Sequence, residues 1–402
     1  MKILVLGGGA SGMMAAIYAV REGAEVIIIE NKDRVGKKLS ATGNGRCNLT
    51  NQNLRINPEN YYNLSSEDKP KVKDIFTKAG VDKVIEEFKT LGLLTKCRGE
   101  LVYPHSDQAE SVCQVMENYL LENGAEIKLN TLVKDIKSID NGFFVTTSEG
   151  EYTCDKVICS MGSKAAPKLG GMDKGYYLLS KLGHTVNKTM PGLTKLCADG
   201  KIYKKVSGVR VNAKLSIIKH TSEGDKCIYS ESGELQFTDY GISGVVSMNI
   251  SNRWGADAKD SYILVDMAED YSDDELYDYI FTLKNTYKDR PLSVILNGLL
   301  PDRLSNALVD LTIDKDKDIV SSLVELIKRF RVDVTSLKDY EDAQISLGGI
   351  PILEVSNELE SNKTPGLYIT GELLDVHGGC GGYNLQWAFS TGMIAGSAAA
   401  KS

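Results

Sequence analysis

The chain has 402 residues, with 47 Lys and Arg against 54 Asp and Glu, and a net charge of −7. At roughly 100–200 residues per domain this length implies two or three domains, and 42% apolar with 25% charged residues excludes a disordered or fibrous chain. The acidic balance argues against a nucleic-acid partner, which calls for a basic face.

The first apolar run, Ile3-Leu4-Val5-Leu6, reads as a parallel strand buried on both faces. Gly7-Gly8-Gly9-Ala10-Ser11-Gly12 follows at once and places glycines at G-x-G-x-x-G spacing. A helix then opens, with Met13, Ala16, Ile17 and Val20 on one face and Gly23 as its stop. Val26-Ile27-Ile28-Ile29 makes a second buried strand that ends in Glu30. Each part has a physical role. Gly7 makes the tight turn, Gly9 admits a pyrophosphate to the backbone, and Gly12 brings helix and strand together. The helix N-terminus offers unpaired N–H groups to phosphates. Glu30 stands where an acid accepts hydrogen bonds from ribose hydroxyls and repels a 2′-phosphate, which favours FAD or NAD over NADP. Strand, glycines, helix, strand and acid in this order predict a dinucleotide site.

Further along, Gly124 to Leu129, Val133, Gly142 to Thr147 and Asp155 to Cys159, with turns at Asp140-Asn141-Gly142 and Glu149-Gly150, predict a small meander of strands. From about 191 to 340 the nucleotide pattern stops. Val209, Val211, Ala213, Leu215 and Ile217 alternate with polar residues, Glu223-Gly224-Asp225 turns the chain, and Cys227 to Tyr229 and Glu234 to Phe237 read as further strands of an antiparallel sheet or barrel. Ser272 and Glu275 form a capping box before Leu276, Tyr279, Ile280 and Leu283. Pro291 suits the first turn of another helix. Ile319, Val320, Leu323, Ile327 and Phe330 predict a third, with Asp314 to Asp318 as an acidic flank. These helices read either as a cap that shapes a substrate cleft or as structural filler. The chain returns to the nucleotide fold near Gly348-Gly349-Ile350.

The expected architecture is α/β: a Rossmann-type domain from 1–190 plus 341–402, an inserted antiparallel β-domain from 191–255 with part of 331–345, and a helical subdomain from 256–330. The most apolar C-terminal stretch, Ala388 to Ala400, is broken by Ser390, Thr391, Gly392 and Ser397 and falls short of the ~20 residues that span a bilayer. The first strand runs straight into glycines with no secretory leader, so a cytoplasmic protein with no membrane partner is expected. Cys47, Cys97, Cys113, Cys154, Cys159, Cys197, Cys227 and Cys380 form no C-x-x-C pair, and zinc spacing is absent. Reduced thiols and no metal are expected.

Thr364-Pro365-Gly366-Leu367-Tyr368-Ile369-Thr370-Gly371-Glu372 resembles the second FAD signature of glutathione-reductase-like flavoproteins, and Val157-Ile158-Cys159-Ser160-Met161-Gly162 resembles their strand-to-glycine element. By that resemblance Glu372 hydrogen-bonds the ribityl chain. Gly378-Gly379-Cys380-Gly381-Gly382 enters a helix beginning near Tyr383 and Asn384. Such a loop is either a tight connection or an anion site, and beside a flavin it favours the reduced, charged ring. The stretch Gly36 to Asn51, with Thr42-Gly43-Asn44-Gly45-Arg46-Cys47-Asn48 at its centre, is similar to the signature of a bacterial FAD-dependent flavoprotein family that includes aminoacetone oxidase-like proteins and reductases of unsaturated bile-acid intermediates. Leu101 to Pro104, Gly183-His184 with Pro191 to Leu193, Phe237 to Gly244 and Gly378 to Ala388 match as well. Ser160-Met161-Gly162-Ser163 departs from the usual double glycine, and His105 follows Pro104.

The cofactor is expected to touch Gly7, Gly9, Ala10, Ser11 and Gly12 at the first turn, and Glu30 and Asn31 after the second strand. The resemblance adds Lys38, Thr42, Gly43, Asn44, Gly45, Arg46 and Asn48, then Val133, Met161 and Gly162, then Gly371, Glu372, Gly381, Gly382, Tyr383 and Asn384. Lys38 reads equally as a surface charge, and Cys47 as a packed small residue. The implied activity is hydride transfer through flavin N5. It fits an NAD(P)H-linked reductase of a steroid- or bile-acid-like enone, with NADH or NADPH as a transient donor since no second G-x-G-x-x-G unit exists. An amine oxidase using O2 and a non-catalytic flavin sensor are the alternatives. No catalytic residue is assigned. His377, Tyr383, Tyr240 and His105 are candidates for an acid or base, though a loop histidine is more often a solvated or structural residue. The partner expected is a small-molecule substrate; the oligomeric state is left open.

Overall fold

The computed structural model describes residues 1–57, 61–62, 64–257, 260–312 and 318–401. The chain forms two compact units, Met1–Met190 with Gln344–Ser402, and Pro191–Ala343.

The first unit is built on five strands: β1 (Lys2–Leu6), β2 (Glu25–Ile29), β3 (Glu126–Lys128), β4 (Lys156–Cys159) and β5 (Leu367–Ile369). They lie in the order β5-β4-β1-β2-β3, all parallel. Leu4 pairs with both Val157 and Ile27, so the first strand is central. Ile3 to Leu6 are wholly buried, as their unbroken apolar run requires of a strand covered on both faces. Gly124 to Leu129, expected in the meander, instead supplies β3 at the sheet's edge. The antiparallel meander itself is Val133–Ile139, Gly142–Thr147 and Glu151–Cys154.

Helix α1 (Ala10–Arg21) follows β1, and the last helix, α2 (Tyr383–Lys401), packs along it. The contact is backbone on backbone. A Cβ at Gly392 would stand 2.5 Å from the Ser11 carbonyl oxygen, and one at Gly396 would stand 2.1 Å from that of Ala15. The C-terminal helix therefore reads as two small-residue notches set one turn apart.

Away from the strand ends, a buried staple holds the segment after Lys174–Lys181 to the 350–364 region. His184 Nδ1 meets Glu354 Oε2 at 2.8 Å and Nε2 meets Ser361 Oγ at 2.8 Å. Lys363 Nζ and the Thr185 N–H also donate to Glu354. Burial alone would raise the Glu354 pKa. The donors from Lys363, Thr185 and His184 overcome it and bring the value down to about 2. Burial also pushes His184 below its ordinary value, against the pull of Glu354.

The second unit is a seven-stranded sheet dominated by the hairpin Arg210–Thr221 and Gly224–Thr238. The two short strands expected at Cys227 to Tyr229 and Glu234 to Phe237 are parts of this one long strand. Phe330–Val332 pairs at one edge of the sheet and Val334–Leu337 at the other, with only Asp333 between them. One run of chain thus supplies both edges and curls the sheet towards closure, the all-β solution to exposed edges. Phe330, expected at the end of a helix, pairs with Val265 instead, and the helix stops at Lys328. The capping box of Ser272 and Glu275 forms as the spacing predicts. The stretch 256–330, expected as a helical subdomain, shares one core with the sheet: Ile263 and Val265 of an inner strand pack with Leu276, Leu304 and Leu323 of the helices. Residues 314–317 of the acidic flank lie outside the described residues; Asp318 caps the helix by accepting the Ser321 N–H at 2.9 Å. Among the described residues no helix is long and apolar enough to cross a membrane.

Two outcomes follow. In an ordinary helix interior Gly→Ala stabilises by about 1 kcal/mol. At Gly396 the added methyl meets a carbonyl that cannot yield without moving α1, an overpacking cost of about 1–3 kcal/mol. Gly396→Ala is therefore expected to lower the melting temperature rather than raise it, as calorimetry will show. The staple gives the acid limb its sign. His184 and Glu354 both have folded pKa values below their unfolded ones, so the unfolded chain binds more protons and stability is lost as the pH is lowered. The loss begins below the ordinary histidine value of 6.5 and continues through Glu354 from 4.5 down to about 2. Glu354→Gln is expected to be less stable at neutral pH and to lose less on acidification than the parent, measured by melting temperature against pH.

Candidate cofactor site

The C-terminal ends of β1, β2 and β4 open onto one cleft enclosing about 720 Å³, part of it open to solvent. This is where open parallel sheets bind ligands. Of the residues expected at the cofactor, Gly7, Gly9, Glu30, Asn31, Lys38, Val133, Met161, Gly162 and Glu372 all line it. They come from six separate stretches of sequence.

Glu30 is held by the chain it faces. Its Oε2 accepts the Gly8 N–H at 2.7 Å, and its Oε1 accepts the Lys32 N–H at 2.9 Å. Burial raises its pKa, and these N–H groups work against that rise. Each carboxylate oxygen keeps a lone pair for a ribose hydroxyl.

The turn between β1 and α1 shows why glycine is used. A Cβ at Gly12 would lie 1.9 Å from the Gly7 carbonyl oxygen, so only glycine lets the helix begin this close to the strand. Gly9 has nothing within 4 Å of its Cβ position, which leaves the backbone open towards the cleft. No side chain caps α1, so its first N–H groups, including those of Ala10 and Ser11, are available to an anion. Ser11 is buried, with its hydroxyl oxygen 2.6 Å from where a Cβ of Gly371 would stand.

Glu372 is more fully engaged than its resemblance implies. Its Oε2 meets Lys38 Nζ at 2.8 Å, while its Oε1 accepts from Ser163 Oγ at 2.7 Å and from the Ser346 N–H at 2.8 Å. Burial would raise its pKa; Lys38, Ser163 and the Ser346 N–H reverse that and keep it ionised. The reading of Lys38 as a surface charge gives way to a cleft-lining ion pair. Ser163, noted only as a departure from the usual glycines, supplies one of these bonds. Ser163, Thr131, Leu132 and the Gly170-Gly171 pair also line the cleft and were missed. The double glycine after Pro167 was the one legible signal.

A second cluster forms around the glycine-rich loop. Asn51 Nδ2 donates to the Gly381 carbonyl at 2.8 Å, and the Asn48 side chain accepts the Val102 N–H at 3.2 Å. A Cβ at Gly382, where φ is +92°, would lie 2.6 Å from the Thr50 carbonyl. Asn384 closes the loop on itself: its Oδ1 accepts the Gly378 N–H at 2.9 Å and its Nδ2 donates to the Gly378 carbonyl at 3.0 Å. Tyr61, also missed, donates to the Tyr383 carbonyl at 2.8 Å and stacks with Phe76 at 5.6 Å. The Tyr383 ring is buried against it.

Other expected residues fall outside the cleft. Gly43, Asn44, Gly45 and Arg46 stand exposed after Thr42 on a turn with three positive φ values. Asn48 alone of this stretch joins the loop cluster. Cys47 is wholly buried and burial pushes its thiol up to about 12, so it packs and does not react. His105 is exposed, with its carbonyl taking Lys96 Nζ. Tyr240 belongs to the second unit, where its ring faces Lys338 Nζ at 4.5 Å.

The residues present fit an adenine dinucleotide with a flavin half. Glu30 gives the test. Glu30→Gln keeps the shape of the side chain and removes its charge. FAD is expected to bind roughly ten-fold more weakly, about 1.4 kcal/mol, while FMN, which lacks the adenosine ribose, binds as before; fluorescence titration checks both.

Residues 1–398 match the family described as HI0933-like protein Rossmann domain. The chain is 35% identical over 414 positions to the 3-dehydro-bile acid Δ(4,6)-reductase of Clostridium scindens, with 100% of this chain and 99% of that protein covered. It is 26% identical to the ribosomal RNA dihydrouridine synthase of Haemophilus influenzae, with 96% of each covered. The 3-ketosteroid Δ1-dehydrogenase of Sterolibacterium denitrificans shares the fold at a TM-score of 0.51 and 12% identity, with 99% of each chain covered. The chain belongs to the HI0933-like family of Rossmann-fold flavoproteins and is an FAD-dependent oxidoreductase.

Proposed function

We propose that the protein reduces a carbon–carbon double bond conjugated to a ring carbonyl in a steroid-like small molecule, with NADH or NADPH as the electron source. The observation that carries this is the end-to-end 35% identity to a bile-acid Δ(4,6)-reductase. The dihydrouridine synthases point to the same bond type, since uridine C5=C6 is conjugated to a ring carbonyl. The net charge of −7 favours the small molecule over ribosomal RNA, whose phosphates call for a basic surface.

Bound FAD supplies hydride transfer at its N5. The chain supplies the hold. Glu30 takes the adenosine ribose, and Gly7 to Gly9 with the N-terminus of α1 take the pyrophosphate. Lys38 carries positive charge into the same cleft, fixed by Glu372. The loop Gly378 to Gly382 leads into the N-terminus of α2, whose partial positive charge favours an electron-rich ring beside it.

The test is anaerobic. Yellow protein is expected to bleach with NADH or NADPH and to regain its colour when a 3-oxo-4,6-diene steroid acid is added. Recolouring by ribosomal RNA and not by the steroid would move the substrate to the nucleic acid. Bleaching by an amine alone, with peroxide formed in air, would identify an oxidase. Protein inert to every donor would be a sensor.

A further inference from the structure

The cleft wall around Glu30 is drawn together from three stretches of chain. Glu30 and Asn31 after β2, Thr131 to Val133, and Leu169 to Met172 all line it. Main-chain bonds lace the first two: the Thr131 N–H donates to the Glu30 carbonyl and the Asn130 N–H to the Lys32 carbonyl, each at 2.9 Å. The third stretch reaches the first through a side chain. Asn31 Nδ2 lies 2.6 Å from Met172 Sδ, and both residues are half-buried and line the cleft. Next to this contact the main chain at Gly170 passes the Lys32 side chain, two of whose carbons lie 3.5 Å from where a Cβ would stand.

The loop that carries Met172 is shaped to hold it there. The Met172 N–H donates to the Ser163 carbonyl at 2.8 Å and closes residues 163–172 on themselves. Within the loop the Gly171 N–H donates to the Ala166 carbonyl at 3.2 Å. A Cβ at Gly171 would stand 2.0 Å from the Ala165 carbonyl oxygen, so only glycine closes the turn. Ser163 donates in turn to Glu372. The loop is thus tied to Glu372 at its base and to Asn31 at Met172. A thioether is a weak acceptor, so the Asn31 contact adds little strength; what it sets is where the sulfur stands. That place is beside the acid assigned to the adenosine ribose. Leu132, Val133 and Leu169 add apolar side chains to the same wall, as a flat ring requires. Methionine sulfur is soft and polarisable and packs well on aromatic rings. In an adenine dinucleotide the aromatic ring next to that ribose is the adenine. His377, an acid–base candidate by sequence, offers no comparable contact: its Nε2 lies 2.8 Å from Asp375, its ring is 2% exposed, and it does not line the cleft.

We propose that Met172 closes the adenine pocket: its thioether packs against the adenine ring of the bound dinucleotide, and Asn31 is the residue that positions it. The contact rests on the FAD reading and not on the choice of substrate.

The experiment uses full-length protein stripped of flavin and measures its affinity for FAD, for ADP and for FMN, which lacks the adenosine half. Met172→Ala is expected to weaken FAD and ADP in parallel, roughly ten-fold each, and to leave FMN unchanged. Met172→Leu, of similar volume, is expected to keep most of the affinity. Asn31→Ala is expected to weaken ADP about three-fold while the sulfur is present, and to do nothing in the Met172→Leu background, where no acceptor remains. Parent-like ADP affinity in Met172→Ala overturns the proposal, and so does an equal loss of FMN. An Asn31→Ala effect of the same size in both backgrounds overturns the positioning by Asn31. Should Met172→Ala not fold, hydrogen exchange on the parent decides: ADP is expected to slow exchange across residues 163–173 and FMN is not, and no slowing by ADP overturns the contact. Parent protein that binds neither FAD nor ADP removes the FAD reading and this contact together; parent protein that binds both, with Met172→Ala equally tight, removes this contact alone.

Discussion

Main chain pressed against main chain around α1 is the constraint on which the first unit rests. At its start, Gly12 sits under the Gly7 carbonyl; along its flank, Gly392 and Gly396 sit against the carbonyls of Ser11 and Ala15. One helix is thus gripped by residues at both extremes of the chain. Its N-terminus is aimed at the cleft by the turn that precedes it and held there by the last helix. Dispersion contacts at this range are lost quickly with separation, so the anion-binding end of α1 is positioned by packing on its other faces. The same last helix carries the glycine-rich loop at its own start. The two helix N-termini are therefore coupled through a shared seam.

Buried carboxylates are treated individually in this fold, and the contrast separates their roles. Burial of Glu30 outweighs the main-chain N–H groups and the Lys32 charge that oppose it, so its pKa is raised. Glu372 and Asp375 are also desolvated, but a cation, a hydroxyl or an imidazole is added to the main-chain donors, and their values fall. A carboxylate that must accept from a ligand is left with spare lone pairs. One that must stay charged to fix a neighbour is given full partners.

The nucleotide end of the fold was legible because its signals are short-range. Glycine spacing, a continuous apolar strand and an acid at the next strand's end lie within thirty residues of one another. The cleft confirms Glu30, Lys38, Met161 and Glu372 as neighbours, though they are far apart in sequence. What escaped was decided by partners that no local pattern names. Phe330 continues a helical spacing, yet Val265 draws it into a strand. Gly124 to Leu129 alternates like a meander strand, yet Ile28 pairs with it in the parallel sheet. Asn51 and Tyr61 reach Gly381 and Tyr383 across more than three hundred residues, a relation without periodicity. The exposed turn Gly43 to Arg46 shows a distinctive sequence block that lies outside the cleft lined by Glu30 and Glu372.

The excursion that forms the second unit departs along Asn187–Gly192 and re-enters along Ile345–Gly349, and these two segments pair as neighbouring strands. Gly348 approaches Lys188 so closely that a side chain would collide with its carbonyl. Entrance and exit are thus a single doorway. Loop-closure entropy grows only slowly with the length of chain looped out, so lineages can enlarge, trim or exchange the inserted unit without rethreading the parallel sheet.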